Sequence, residues 1–385
     1  MTQPSDIREA LFGAPYVGLL PPGPRHAISD VPGVFVGHAT LADGPLQTGV
    51  TVVCPTPAAS AASAASAASA GAAAALPAGS VPDARWDPFR AKIPAATAVI
   101  NGFGKSVGLM QIDELGVIEA PVALTNTFSV SHLVLGQLRE AISANPEIGR
   151  GGPSLNPTVL ECNDGYLNDM QALAVTEAHY AQARASAQAD FAQGAVGAGR
   201  GMSSFGLKGG IGSASRVVET AGATFTVGVL VLSNFGRPSQ LTIAGRHVGP
   251  VLDERLAQPA QHAAPERGSI IMLVATDAPL DARQLRRVAT RTGAGLARTG
   301  SVYGHGSGDV ALAFTTGYTV PHDAMGRVAP AALVPDPLLD PIFQATADAT
   351  EQAILHALFA AESVLGRDGH VRRALADVLP DWATL

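Results

Sequence analysis

The sequence predicts an α+β fold in one large domain, with its sheets covered by helices on their outer faces. Short β-branched runs mark strands, and apolar residues spaced three and four apart mark helices. The two kinds of element interleave without regular βαβ spacing, so layered sheets under helices fit best. Aromatics are scarce at 5%, while Gly (42) and Pro (28) are plentiful, as suits a turn-rich fold with close backbone contacts.

In chain order, the strand candidates are Val31–His38, Gly49–Pro55, Pro121–Thr127, Thr224–Leu232, Gly268–Thr276 and Asp309–Thr316. Between the second and third lies an Ala/Ser tract of low complexity, 58–80, with no polar and apolar faces to orient it against a core. It reads as a surface insertion between Gly49–Pro55 and the segment Thr97–Gly104. A helix is expected at Ser131–Asn145, with Val134, Leu138 and Ile142 on one face. A second, Asp281–Thr290, carries Leu285, Val288 and Ala289 behind a capping Asp281. The last long helix runs from about Pro341 to Leu365, with the proline in its first turn. Ala257–Glu266 is polar and contains proline, and reads as a loop that delivers the chain to Gly268 and Ser269.

The 385 residues carry a formal net charge of −7 and no Lys/Arg-rich stripe, which argues against a nucleic-acid partner. Cys54 and Cys162 belong to no C-x-x-C pair and read as small buried hydrophobes. The first residues lack a basic region followed by an apolar core, which points to the cytoplasm. The longest uncharged stretch, Cys54–Pro82, is too weakly apolar for a membrane span.

Several common signatures fail. Gly104-Lys105-Ser106 lacks the glycine of a phosphate loop, because Val99 stands there. Gly306-Ser307-Gly308 is flanked by His305 and Asp309 where a nucleophile elbow needs glycines. There is no His-Glu-x-x-His and no clustered Cys/His set, so neither a metal nor another cofactor is expected.

The positive signal is Gly268-Ser269 at the mouth of the apolar run IIMLVAT. Taken alone it is a strand start. Downstream, however, Ser307 and Asp309 enter the next strand, and a Ser-x-Asp pair sends both side chains to one face. N-terminal-nucleophile chemistry needs such a set. The Ser269 hydroxyl would attack the Gly268 carbonyl, with glycine tolerating the strained backbone. Cleavage would free an α-amine with a reference pKa of roughly 8, able to serve as base for its own hydroxyl. Ser307 and Asp309 would orient that unit.

The chain also resembles the L-aminopeptidase/D-esterase family of self-processing serine peptidases, which includes the D-aminopeptidases and β-aminopeptidases. The resemblance runs from about Arg25 to Gly369. It rests on the ordered blocks His26–Leu41, GVTVVCP, NGFGKSVGL, APVALTNTFSV, KGGIGSASR, VLSNFG, ERGSI, ARTGSVYGHGSGD and FQATADATEQAIL. It implies a four-layer αββα sandwich of N-terminal-nucleophile type, cut into an α chain 1–268 and a β chain 269–385 that stay associated. It also implies oligomers of such units, with a tetramer favoured. Carried over by position, Ser269 is the nucleophile, Ser307 and Asp309 its supporting pair, and Asn234 a lining of the oxyanion hole. Glu161 matches an acid that receives the substrate's free amine, beside Asn163 where some relatives have an aromatic residue. Lys208 is expected either to stabilise developing charge or to serve structure, and His305 to line the pocket or shape its loop. The expected activity is hydrolysis of small N-terminal aminoacyl amides, peptides or esters. A related amide hydrolase on a pantetheine-like or ω-amino-acid amide, an ornithine-type acyltransferase, and an unprocessed non-enzyme remain alternatives.

Overall fold

The computed structural model describes residues 11–57, 81–82, 86–256, 268–326 and 331–385. The Ala/Ser insertion 58–80 and the delivery loop expected at Ala257–Glu266 lie outside the described residues.

Among the described residues, eleven strands build the two main sheets. They are β1 (Val34–Asp43), β2 (Leu46–Pro55), β3 (Ala91–Gly102), β4 (Val117–Ile118), β5 (Val122–Asn126) and β6 (Val159–Cys162). The others are β7 (Gly210–Thr220), β8 (Ala223–Asn234), β9 (Ser269–Thr276), β10 (Gly308–Thr315) and β11 (Val320–Pro321). A four-stranded sheet has the order β1-β2-β5-β6, and a seven-stranded sheet the order β11-β3-β10-β9-β8-β7, with β4 paired to β3. Four helices cover them: α1 (Val130–Ala144), α2 (Glu177–Ala185), α3 (Ala282–Arg298) and α4 (Asp340–Phe359).

Strand alternation divides the core into layers. In β9, Ile270, Met272 and Val274 pack with Leu285 and Val288 of α3 and Ile354 and Leu358 of α4. Ile271, Leu273 and Ala275 face the other way, against Val36, Val53 and Leu124 of the smaller sheet. On that sheet's far side, Phe35, Val50 and Val52 pack against Leu133 of α1 and Tyr180 and Ala183 of α2. Helices, sheet, sheet, helices: this is the four-layer αββα sandwich that the resemblance implies.

Three helices differ from expectation. α1 buries Val130, Leu133, Gly136 and Gln137, while Ile142 is 43% exposed. The stripe is rotated because Gly136 admits the Tyr180 ring, and Gln137 bonds the carbonyls of Pro121 and Thr158. α4 stops at Phe359, because Val364 and Leu365 pair with Val371 and Arg372 in a small hairpin. α3 starts as expected, with Asp281 accepting from Gln284 N at 2.7 Å, but continues to Arg298. The sequence offered no strand pattern for β7. Its small residues answer to packing: a Cβ on Gly212 would lie 1.9 Å from Ala353 O of α4. Among the described residues, no helix is long and apolar enough to cross a membrane.

Candidate active site

β9 and β10 run parallel, joined by the crossover helix α3, so their first residues meet at one end of the large sheet. Ser269 stands in register with Gly308 on one side and with Asn234, the last residue of antiparallel β8, on the other. Gly102, the last residue of β3, completes the row opposite Gly308. Four strand ends therefore converge on the serine.

Ser269 is nearly buried, at 7% exposure. Its Oγ accepts from Gly308 N at 3.2 Å, and the same N–H lies 3.3 Å from Gly268 O. Ser307 donates to Asp309 Oδ1 at 2.6 Å, so these two side chains do share a face. Asn234 accepts from Ser203 N at 2.8 Å through Oδ1 and donates to Asn163 O at 2.9 Å through Nδ2, which keeps a second N–H.

Glycine at 268 is required by crowding, not by strain. Its φ is not positive, and an added Cβ would sit 2.5 Å from both Asn234 O and Phe235 Cα. Gly308 is equally constrained, because a Cβ there would meet Phe103 O at 2.6 Å.

Glu161 lies on β6 of the smaller sheet and is buried. Lys105 N donates to its Oε1 at 2.7 Å, and the Thr127 hydroxyl donates to its Oε2. The short segment Gly102–Lys105 thus runs from the row beside Gly308 to the Glu161 carboxylate. Asn163 is exposed and contributes its backbone oxygen to Asn234.

Lys208 is wholly buried, and its Nζ donates to the carbonyls of Gly199, Met202 and Gly209 at 2.7–2.8 Å. Those three contacts use all of its N–H groups, so it ties the 199–209 chain, which carries Ser203, beneath Asn234. Burial holds its ammonium well below the usual lysine range. Burial likewise pushes the neighbouring Asp164 carboxyl up to about 7, against hydrogen bonds from Thr48 and Asn168 and the attraction of Lys208. His305 is exposed, its ring 6.1 Å from that of Phe103, and it hydrogen-bonds none of these side chains among the described residues.

Sequence reasoning passed over Asn101, Thr127, Ser203 and the Gly308 N–H. The blocks NGFGKSVGL and APVALTNTFSV contain two of these, but a polar residue at a strand end gives no sign of what it touches. Among the described residues no cluster of His, Cys, Asp and Glu could hold a metal ion.

Peptidase family S58 matches the chain over residues 26–81 and 78–372. The chain is 35% identical to the beta-peptidyl aminopeptidase BapA of Sphingosinicella microcystinivorans, over 94% of this chain and 88% of that one. It is similar to the PH0078 protein from Pyrococcus horikoshii OT3, with TM-score 0.82, 44% identity and coverage of 96% and 97%. It is also similar to the L-aminopeptidase D-Ala-esterase/amidase from Ochrobactrum anthropi, with TM-score 0.80, 31% identity and coverage of 97% and 98%. That structure is described as a prototype for the serine aminopeptidases and a new variant among the Ntn hydrolase fold. With the family matched across most of its length and the sandwich shared, the chain belongs to peptidase family S58 and is a serine aminopeptidase of the N-terminal-nucleophile fold.

Proposed function

We propose that Ser269 cuts the chain before itself and then hydrolyses small N-terminal aminoacyl amides, peptides or esters through an acyl-enzyme. The observation that carries the reading is the Gly308 N–H, poised at 3.2 Å from Ser269 Oγ and 3.3 Å from the Gly268 carbonyl oxygen. A donor in that place stabilises the charge that grows on the oxygen under attack.

Self-cleavage runs as an acyl shift. Ser269 Oγ adds to the Gly268 carbonyl carbon, the C–N bond to Ser269 breaks, and the nitrogen takes the hydroxyl proton. Water then opens the ester, leaving a carboxylate on Gly268 and both a free amine and a hydroxyl on Ser269. The fragment 269–385 stays bound, since β9 is laddered to β8 of the other fragment and β10 to β3.

In turnover the Ser269 amine takes the proton of its own hydroxyl. Ser307, oriented by its bond to Asp309, steadies that amine. The substrate carbonyl replaces that of Gly268 at the Gly308 N–H, joined by the second N–H of Asn234. Glu161, its two oxygens fixed by Lys105 and Thr127, holds the substrate's ammonium. Assembly of the cleaved units into a tetramer is part of the same proposal, taken from the family resemblance and readable by size-exclusion chromatography with light scattering.

Mass spectrometry of the purified protein tests the first step: one fragment must begin at Ser269, and Ser269→Ala must remain whole at 39.1 kDa. Glu161→Gln tests the substrate class. It should abolish cleavage of amides with a free amine and spare amine-blocked ones. Blocked amides that are the better substrates of the parent enzyme would instead favour a non-peptide amide hydrolase, and transfer to an added amine would favour an acyltransferase.

A further inference from the structure

Asn101 makes three contacts at the site that the steps above do not use. Its Nδ2 donates to Ser307 O and to Gly304 O at 3.0 Å, with His305 O at 3.3 Å sharing one of the two hydrogens. One side-chain amide therefore gathers three carbonyls of the loop that leads into β10. The register explains its aim. Asn101 pairs with Asp309, but Val99 pairs with Val310, so Ile100 is an extra residue in β3. Such a bulge turns the neighbouring side chain out of its regular direction.

The third contact matters most. Ser307 C=O and Gly308 N–H belong to the same peptide unit, which is trans. In a trans unit the two groups point in opposite directions in one rigid plane. Holding the oxygen on one side therefore fixes the N–H on the other, where it faces Ser269 Oγ and Gly268 O. The local chain would not hold this plane alone, because Gly306 and Gly308 flank Ser307 and neither has a Cβ to restrict it. Donation into the carbonyl also polarises the peptide and makes its N–H a stronger donor.

We infer that Asn101 is the positioning residue for the Gly308 N–H, aiming and polarising it for both self-cleavage and turnover. The inference rests on Ser269 being the nucleophile. The full-length chain carrying Asn101→Ala should show self-cleavage and kcat both lowered, roughly 10- to 100-fold, with KM within about twofold and Tm nearly unchanged. The loss is smaller than for deleting a donor, because the N–H is misaimed and not removed.

Asn101→Asp keeps the shape and supplies a test that a purely structural role would fail. As a carboxylate it repels the three carbonyls, whereas its protonated form regains an O–H donor. Its activity relative to the parent at the same pH should therefore rise as pH falls. A folded Asn101→Ala with kcat within about twofold of the parent overturns the inference. So does a flat Asn101→Asp ratio across pH. If Ser269→Ala still splits and turns over, the nucleophile reading fails and takes this inference with it; if only the Asn101 results fail, the nucleophile stands.

Discussion

The two ends of the parallel pair β9 and β10 carry the same kind of residue in opposite states. At the far end Thr276 stands in register with Thr315, both fully buried. Thr276 Oγ1 donates to Thr226 O at 2.8 Å and accepts from Ala278 N at 3.1 Å. Thr315 Oγ1 donates to Ala278 O at 2.6 Å and accepts from Gly317 N at 3.0 Å. Each hydroxyl there is saturated by backbone and closes a turn. At the near end Ser269 accepts one N–H, and among the described residues its own proton has no acceptor. Bonding state, not residue type or burial, separates the end proposed to be reactive from the structural one.

The contrast is sharpest in the two hydroxyls themselves. Ser269→Ala should abolish self-cleavage and amide turnover while leaving the fold as stable as before, read by mass spectrometry and thermal melting. A Ser269→Ala protein that still yields two fragments would break the comparison at its root. Next come the groups around the open hydroxyl. Asn234→Ala should lower kcat on the order of 10²–10³-fold, as for loss of one oxyanion donor, with little change in KM. An equal rise in KM would mean that the amide binds the ground state instead. Thr276→Val, at the saturated end, should cost about 1–2 kcal/mol by denaturant titration and leave kcat unchanged.

The last effect emerges only as pH falls and concerns another saturated group, His356 of α4. Its Nδ1 bonds Ser213 O at 2.6 Å and its Nε2 lies 3.1 Å from Gln352 Nε2, so the neutral ring satisfies both partners. Burial lowers its pKa from 6.5 to about 4. Between those values the unfolded chain binds more protons than the native one, so stability contributed by this group is lost as pH falls from 6.5 to 4. The loss approaches about 3 kcal/mol at full protonation. His356→Gln should flatten that acid limb in urea titrations run at several pH values. An unchanged slope would show that His356 charges freely in the native state.

Much of this was legible along the chain. The strand β9, the cap Asp281 and the Ser307–Asp309 pair follow from local rules of alternation and capping, which act within a few residues. β7 was not legible, because glycine, serine and alanine there satisfy a helix arriving from more than a hundred positions later. The rotation of α1 was hidden for the same reason, since Gly136 and Gln137 matter only once Tyr180 and Pro121 are beside them. Lys208 illustrates the limit at single-residue scale. Its charge left chemistry and structure equally open, and only the closed chain reveals the three carbonyls that hold it.

By itself the sequence determined the layered α+β class, the glycine–serine junction and the pair that enters the following strand, because period-two alternation and turn chemistry are local. Tertiary structure set Asn234 and Gly308 on either side of Ser269 and aimed Asn101 at the Ser307 carbonyl. Those encounters are set by how β3, β8, β9 and β10 lie side by side in the sheet, and strand order leaves no mark on any one segment.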